Sequence, residues 1–444
     1  MASKTFYIRT TGSDANNGLT KEKAFKTINR AIAESALLSP GSNVLIYIGA
    51  GEYCPNTDNP PWIRINGAIG NLSEINFSFI GDIRGVMTGD AGSVCISAFT
   101  SSATYVGTRQ LLLKYLTFIG FLPSSNPTGY YGSCFIGSGG TQEQFDQSIA
   151  TIDSCIFKTP QNPPPVGVVP IVLECTAVVK NCLFDVVGGQ HWGGSRRMIA
   201  GENNVYLELA DHGGLSGTIS VYNNTFIMRN NIPQVVVWPI GEEGTITLNF
   251  YNNLIVGGGQ CAIIASFYTP GLNLTLNSDY NYYERNQDLH MMVQNYTYKH
   301  SIGDMRTAGH DIHSMHVGVD SSAGSGALVY QIFRLPGNSP CVDAGTNVGV
   351  LFDIFGHART NPDIGCFEYT KTYVAKIAGT GNSSVTRCKF QFGQYRASER
   401  ARGSLLAAST GANFAGMNLA NVDMTFATTK NPYWNVIIDG YNWM

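Results

Sequence analysis

The sequence predicts an all-β solenoid, a chain wound into coils of parallel strand, and three observations carry that expectation. One short unit recurs, as LLKYLTF (Leu112 to Phe118), ATIDSCIF (Ala150 to Phe157), VVKNCLF (Val178 to Phe184), SVYNNTF (Ser220 to Phe226) and NFYNNLI (Asn249 to Ile255). Looser relatives are TLNSDYN (Thr275 to Asn281) and VTRCKF (Val385 to Phe390). The spacing is periodic: 27 residues separate Phe157 from Phe184 and 29 separate Phe226 from Ile255, while the 39 and 42 residues of the other two intervals are one period plus an insertion. Within a unit, apolar residues alternate around a polar turn, as at Val179, Cys182 and Phe184. A period of about 20 to 50 residues marks units that cannot bury an apolar face alone and so stack on their neighbours. Gly and β-branched residues between the copies, without a 3.6-residue rhythm, favour strand over helix. Stacked coils of parallel strand lie about 4.8 Å apart.

The repeat places residues in columns. Ser154, Asn181, Asn223 and Asn252 fall at the turn, where Asn accepts a left-handed backbone and can bond to its copy in the next coil. Cys155, Cys182, Asn224 and Asn253 fall beside it, facing inward. Lys114, Asp153, Lys180, Tyr222 and Tyr251 form an outward column, alternating in charge and then aromatic. Alternating charge on adjacent strands avoids like-charge contact and is read as structural.

Taken in order, the chain opens with a strand at Tyr7 to Arg9 and a tight loop at Gly12 to Gly18. A helix follows, N-capped by Thr20, with an apolar face of Phe25, Ile28, Ile32 and Ala36. Such a helix ahead of a solenoid is expected to plug its open end and hide the first coil's backbone edge. Asp14, Asn16 and Asn17 suggest a calcium loop, but the spacing fails beyond Gly18 and an Asx-type turn is the expectation.

Three insertions interrupt the period, at Phe121 to Gln147, Thr159 to Pro170 and Val187 to Gly217. Loops leaving successive coils on one side would wall a groove, the usual seat of function. The third insertion holds the richest set of polar and aromatic groups: His191, Trp192, Arg196, Arg197, Glu202, Asp211 and His212. Sugars are commonly met by aromatic and amide side chains, and Trp192 and His212 are the candidate substrate-binding groups. Hydrolysis of a glycosidic bond needs two carboxylates, about 5 Å apart for retention or about 6.5 to 9.5 Å for inversion. Glu202 with Asp211, or Glu174 with either, are the candidates. β-Elimination of a uronate needs a base and a cation, which His191, Arg196 and Arg197 could supply.

Five of the eight histidines lie between His290 and His316, with His310, His313 and His316 three residues apart. A metal site is one reading, but no cysteine or acidic set completes a shell, and neither metal nor cofactor is expected. The remaining stretch after Tyr369 suggests a small β-domain for oligomer contact or attachment. Val385 to Phe390 returns to the repeat, Ala412 to Phe426 resembles pentapeptide repeats centred on Phe414, Leu419 and Met424, and Arg396 to Gly403 reads as a solvated basic loop.

Composition bounds the function. A 43% hydrophobic content over 444 residues can bury a large core in one solenoid. Charged residues make up 13%, against about 25% in typical domains. The net charge of -3 supplies no basic footprint, so nucleic acid is not an expected partner. The longest nearly apolar run, Val166 to Val179, contains Pro170 and Glu174 and falls short of the ~20 residues of a membrane span. MASKTFYIRT has no apolar core of a secretory signal, and the ten cysteines show no CxxC, which predicts synthesis in a reducing cytoplasm with free thiols stacked in the core.

Tyr7 to Thr20, the AFKTINRAI stretch and VLIYIGAGEY (Val44 to Tyr53) together resemble the start shared by many right-handed parallel β-helix proteins of the pectate-lyase-like superfamily, phage tailspikes included. The ordered series Ser278 to Tyr283, Gly309 to Ser314, Ser339 to Asn347, Phe352 to Thr360 and Asp363 to Tyr369 resembles the closing half of such proteins. The resemblance implies a single-stranded right-handed parallel β-helix divided as 1-43 N-terminal cap, 44-290 β-helix, 291-369 closing part and 370-444 C-terminal β-domain. In that setting, Phe352 to Thr360 and Asp363 to Tyr369 are expected to be buried salt links and turns. It further implies a homotrimeric virion surface protein that binds host-surface polysaccharide, cleaving it or not, in contact with other virion proteins. A body built for the outside without an export signal fits release by lysis. Typical tailspikes carry a particle-binding domain ahead of the β-helix, and here the cap starts almost at Met1, which favours the alternative of a non-enzymatic capsid decoration. A bacterial polysaccharide lyase is the third reading.

Overall fold

The computed structural model describes residues 3–53, 71–82, 94–98, 110–121, 132–136, 149–158, 169–173, 176–186, 204–210, 216–228, 234–240, 243–257, 261–265, 271–285, 292–294, 297–299, 301–318, 335, 339–369, 372–376, 387–393, 400–403, 423–427 and 435–439. The chain divides into two compact units, Met1–Glu368 and Tyr369–Met444.

The first unit is a parallel β-helix of three sheets, visited in turn by each coil from Gln110 to Gln294. The first sheet has nine strands: Ser3–Ile8, Asn43–Ile48, Asn76–Gly81, Gln110–Lys114, Ile149–Asp153, Thr176–Lys180, Ser216–Tyr222, Glu243–Tyr251 and Gly271–Asp279. The second runs from Gly51–Tyr53 to Met315–Gly318, and the third from Gly132–Ile136 to Thr297–Lys299. Among the described strand pairs of this unit, every pairing is parallel except that of Met292–Gln294 with Thr297–Lys299.

Alternation drives the coil. Odd and even residues of a strand point to opposite faces, so Ala177 and Val179, Ile219 and Val221, and Ile246, Leu248 and Phe250 turn inward and are essentially inaccessible. Where the first sheet bends into the second, the backbone must turn left-handed. Tyr115, Ser154, Asn181, Asn223, Asn252 and Tyr280 do so at φ 57°, 56°, 54°, 53°, 57° and 56°. The turn column expected from the repeat is therefore real, and it extends one coil further at each end. Beyond the bend, Phe118, Phe157, Phe184 and Phe226 stack face to face with centroids 5.0, 4.8 and 4.7 Å apart. Their spacing is that of the strands, so identical side chains meet identical side chains through the core.

Next to the turn runs a buried polar ladder. Asn224 Nδ2 donates to the Val179 carbonyl at 2.9 Å, Asn253 Nδ2 to Val221 at 2.8 Å and Asn281 Nδ2 to Phe250 at 2.9 Å, each time to the preceding coil. Their Oδ1 atoms accept the backbone N–H of Cys182, Asn224 and Asn253. Cys155 and Cys182 occupy the same column, and their thiols donate weakly to Leu113 and Ile152 at 3.6 Å. Cys and Asn are thus interchangeable here because both offer a short inward donor for a carbonyl that water cannot reach. Both cysteines are free and buried, and burial pushes the Cys182 thiol up, with Cys155 beside it adding to the rise.

Helix α1 (Ile28–Ser35) starts later than the sequence suggests. Its N-cap is Thr27, whose Oγ1 accepts from Arg30 N at 3.2 Å, and Thr20 instead accepts from Lys23 N in a local turn. Asp14 decides the start: Oδ1 accepts from Lys26 N and Thr27 N, and Oδ2 from Thr27 Oγ1, fixing the capping residue. Asn17 Oδ1 accepts from the Leu19 N–H, as in an Asx turn, whereas Asn16 Nδ2 donates across the loop to the Ala24 carbonyl. Ile28, Ala31 and Ile32 are buried in the core cluster, and Phe25 packs on Phe6 with centroids 5.6 Å apart. Ala36 is the helix's C-cap, outside the helix proper.

A second helix, α2 (Ile302–Thr307), stands where the next strand of the first sheet would fall in chain order. A capping box between Ser301 and Asp304 starts it, and Met305 is buried beneath it.

Residues 339–369 form no strand in any of the three sheets. They fold back on themselves and lie along the turn column as a strap. Thr346 N donates to Asn252 Oδ1 and Asn252 Nδ2 to the Thr346 carbonyl; Asn223 Nδ2 donates to the Asp363 carbonyl, and Asn181 Nδ2 to the Phe352 carbonyl. Asn252 Nδ2 reaches its copy Asn223 Oδ1 only at 3.4 Å, so the strap rather than the next coil is the main partner of this column. Gly365 is left-handed at φ 101°, and a Cβ there would stand 2.8 Å from Thr225 Oγ1, so only Gly lets the strap touch the coil. Arg359 and Glu368 pair directly within it, the salt link expected in this region.

In the second unit, Thr372–Lys376 pairs antiparallel with Asp423–Ala427, and Arg387–Gly393 lies between Arg400–Gly403 and Asn435–Asp439, again antiparallel. Of the repeat-like Val385 to Phe390, the described residues Arg387 to Phe390 pair with oppositely directed strands rather than parallel ones. Arg400–Gly403 is strand rather than solvated loop. The end of the pentapeptide-like stretch, from Asp423, is antiparallel too; residues 412–422 lie outside the described residues.

Candidate functional site

The residues singled out for chemistry from sequence, Glu174, Glu202, Asp211, His191, Arg196 and Arg197 with Trp192 and His212, all lie outside the described residues. So does most of each of the three insertions.

Within the described residues, the best-formed surface is the outer face of the first sheet over its last four strands. Inward apolar residues force the intervening ones outward, and in-register pairing lines them up. Thr176, Thr218, Thr247 and Thr275 make one row, and Val178, Ser220, Asn249 and Asn277 a second. Lys180, Tyr222, Tyr251 and Asp279 make a third. In the second row Asn277 Nδ2 donates to Asn249 Oδ1 at 2.9 Å, and Asn249 Nδ2 to Ser220 Oγ at 3.2 Å. Each amide keeps a second N–H for solvent or ligand. Tyr222 and Tyr251 meet edge to face, 6.2 Å between centroids, and burial raises the Tyr251 hydroxyl pKa, with Asp279 adding to it. Thr218, Thr245, Asn273, Thr275 and Asn277 are exposed.

Among the described side chains of these rows, charge lies at the ends of the third. Asp153 Oδ2 accepts from Lys114 Nζ at 2.9 Å and lies 3.9 Å from Lys180 Nζ, so the expected charge alternation is a paired set. At the other end His313 Nδ1 lies 2.7 Å from Asp279 Oδ2, the His313 N–H donates to Asp279 Oδ1, and the imidazole stacks on Tyr280 at 4.7 Å. Asp279 and Asp153 are four strands apart, about 19 Å at about 4.8 Å per coil. That is too far for two carboxylates to share one glycosidic bond.

His310, His313 and His316 are not gathered on one ion. Among the described residues no group of three or more His, Cys, Asp or Glu side chains could hold a metal, and no helix is long and apolar enough to cross a membrane. A buried acid closes the inner ladder: Asp311 accepts from Ser278, Asn281 and Ser314 at 2.9, 3.1 and 2.6 Å, and burial raises its pKa against those bonds. Asp353 and His357 pair at 3.0 Å within the strap, with Asp353 also accepting from three backbone N–H groups. Both acids serve structure.

Sequence reasoning noted Tyr222 and Tyr251 but took their column as structural, and missed the threonine and asparagine rows beside it. The signal was present in the polar residues alternating along Thr245, Thr247, Asn249 and Asn273, Thr275, Asn277.

No family model and no curated protein matches the chain. Among solved structures it is similar to a rhamnogalacturonan lyase, 11% identical over 63% of this chain and 74% of that one, with a TM-score of 0.34. A complex of XylC with xylose is 10% identical over 65% and 67%, with a TM-score of 0.31, and pectate lyase Pel9A is 14% identical over 83% and 97%, with a TM-score of 0.29. With TM-scores this low, the parallel coil stands on the chain's own strand pairing.

Proposed function

We propose that this is a polysaccharide-binding protein of a virion surface, tailspike-like and homotrimeric, that meets its glycan on the outer face of the first sheet. The supporting observation is the run of hydroxyl, amide and tyrosine side chains held in register over four strands. Flat polar faces with aromatic edges suit sugar rings, which offer both hydroxyls and apolar C–H faces. On this reading the coil is right-handed, as parallel crossovers nearly always are. The loop of Gly18 to Phe25, whose backbone bonds Tyr7 and Arg9, closes the open edge of the first strand over those residues with helix α1 behind it, and the second unit serves oligomer contact or attachment to other virion proteins.

Binding is tested by affinity electrophoresis through gels carrying host-surface polysaccharides, comparing the protein with Asn249→Ala and Tyr251→Ala. Retardation lost in both variants supports the face; retardation unchanged in both rejects it. A reducing-sugar and unsaturated-product assay on the same panel separates binding from cleavage.

A second reading, a non-enzymatic decoration protein, is favoured by the wide separation of Asp153 and Asp279, which leaves this face without a carboxylate pair among the described residues. Locating the protein in purified particles, on tail or on capsid, decides between the two.

A further inference from the structure

We infer that the N-terminal end of the coil is a docking site for an extended peptide of a partner protein, which adds a strand beside Ser3 and Thr5 and sends a large apolar side chain, with an acidic one two residues away, into the adjoining groove. The inference is independent of the glycan reading above. Ser3–Ile8 is the outermost strand of its sheet and pairs with Asn43–Ile48 along one edge only. Along a parallel strand, the backbone groups of successive residues face opposite edges. The Ile8 carbonyl accepts from Gly49 N, so the even residues serve the neighbouring strand. Tyr7 and Arg9 face the other way: Tyr7 N donates to the Gly18 carbonyl, the Tyr7 carbonyl accepts from Phe25 N, and Arg9 N donates to the Phe25 carbonyl. The loop thus seals this edge only from Tyr7 onward. Ser3 and Thr5 share the phase of Tyr7, and among the described residues their N–H and C=O groups meet no partner on that side. Such an edge is a template for one more strand.

Lys4 and Phe6, which flank Thr5, also line a groove of about 390 Å³ whose other apolar walls are Leu19, Leu37 and Leu38. Leu37 is 80% exposed and Leu19 42%, so two large apolar side chains face water at its rim. A docked apolar side chain would cover them. The helix side is neutral, because Arg30 and Glu34 pair with each other. Lys4 differs: its ammonium stands 5.9 Å from the centre of the Phe6 ring and makes no ion pair with a described acid. These features define the occupant. It is an extended chain, because the edge offers backbone donors and acceptors; it is apolar where it meets Phe6 and acidic where it meets Lys4. Side chains at i and i+2 of an added strand share one face, which matches the spacing of Lys4 and Phe6. A second copy of this chain fits less well, since pairing two such edges would bring the two Lys4 charges together.

The test uses the full chain and the labelled synthetic peptide acetyl-TETFTET-amide, a palindrome that presents Phe with Glu two residues away in either strand direction. Fluorescence polarisation should show saturable binding. Thr5→Pro removes the donor that faces the open edge and none that faces Asn43–Ile48. It should weaken binding about tenfold at an unchanged unfolding midpoint. The same peptide N-methylated at its five central residues keeps its side chains and loses its strand donors, so it should bind at least about tenfold more weakly, whatever Thr5→Pro does to folding. Lys4→Glu should weaken binding of acetyl-TETFTET-amide about fivefold and strengthen that of acetyl-TKTFTKT-amide. Unchanged affinity for the N-methylated peptide overturns the added strand. Equal affinity of the unaltered chain for the glutamate and lysine peptides overturns the acidic assignment. Binding of no peptide overturns the site, and self-association of the chain that Thr5→Pro abolishes overturns the peptide occupant in favour of a second copy.

Discussion

Asn181 and Phe352, 171 positions apart, are joined by a 2.7 Å hydrogen bond from the Asn181 side-chain amide to the Phe352 carbonyl. Asn181 is left-handed at φ 54°, and its Oδ1 also accepts from Arg359. Asn181→Gly keeps the turn and removes the side chain. We expect a loss of about 1–3 kcal/mol, with faster amide exchange in residues 341–368 and little change in the first sheet. Equal acceleration throughout would contradict a strap held by this column.

Arg359 is fully buried and donates to Glu368, Asn181 and the carbonyls of Asp363 and Gly365. Burial drives the Glu368 carboxyl up to about 8 against the pull of Arg359. Removing one partner strands the other, so Arg359→Met should cost about 3–5 kcal/mol in chemical denaturation. Adding Glu368→Met should recover part of that, and additive losses would show the pair to be uncoupled.

Phe184 is stacked on both sides at 4.8 and 4.7 Å and is inaccessible. Phe184→Ala should cost about 3–5 kcal/mol, and Phe184→Leu less, because it leaves a smaller void. The urea midpoints of the two variants check the order.

Asp311 carries a pKa raised above 3.8 by burial. The folded protein therefore holds a proton that the unfolded chain gives up, a contribution complete below 3.8 and lost as pH rises through the folded value. Asn accepts the same left-handed backbone, φ 52° here, without titrating. The stability difference between the protein and Asp311→Asn should thus move in favour of Asp as pH falls from about 7 to about 4. A difference that stays flat over that interval counts against a raised pKa.

The coil was legible because its requirements repeat. A left-handed turn every period selects Asn, an inward donor beside it selects Cys or Asn, and a stacked core selects Phe, so Asn181, Cys182 and Phe184 announce the architecture together. The strap was not legible, because its partners sit more than 90 positions away and each contact occurs once. The start of α1 was misplaced because Thr20 and Thr27 are both plausible caps, and only Asp14, brought in through the tertiary fold, selects Thr27. Helix α2 could have been found from Ser301 and Asp304, three residues apart. The polar outer face was overlooked because charge and aromatic residues draw attention before threonine does, although on a flat sheet the uncharged rows make up most of the surface.

The strap also acts as a ruler. The inner asparagine ladder is indifferent to length: excise one 29-residue coil and Asn253 would offer Cys182 what Asn224 offers it now. The strap is not indifferent, for Phe352, Asp363 and Thr346 are tied to three particular consecutive turns, at Asn181, Asn223 and Asn252. A chain that gained or lost a coil in this stretch would place those anchors one step out of phase. Added length here must therefore fall between the strands of a coil, where it leaves the number of turns unchanged.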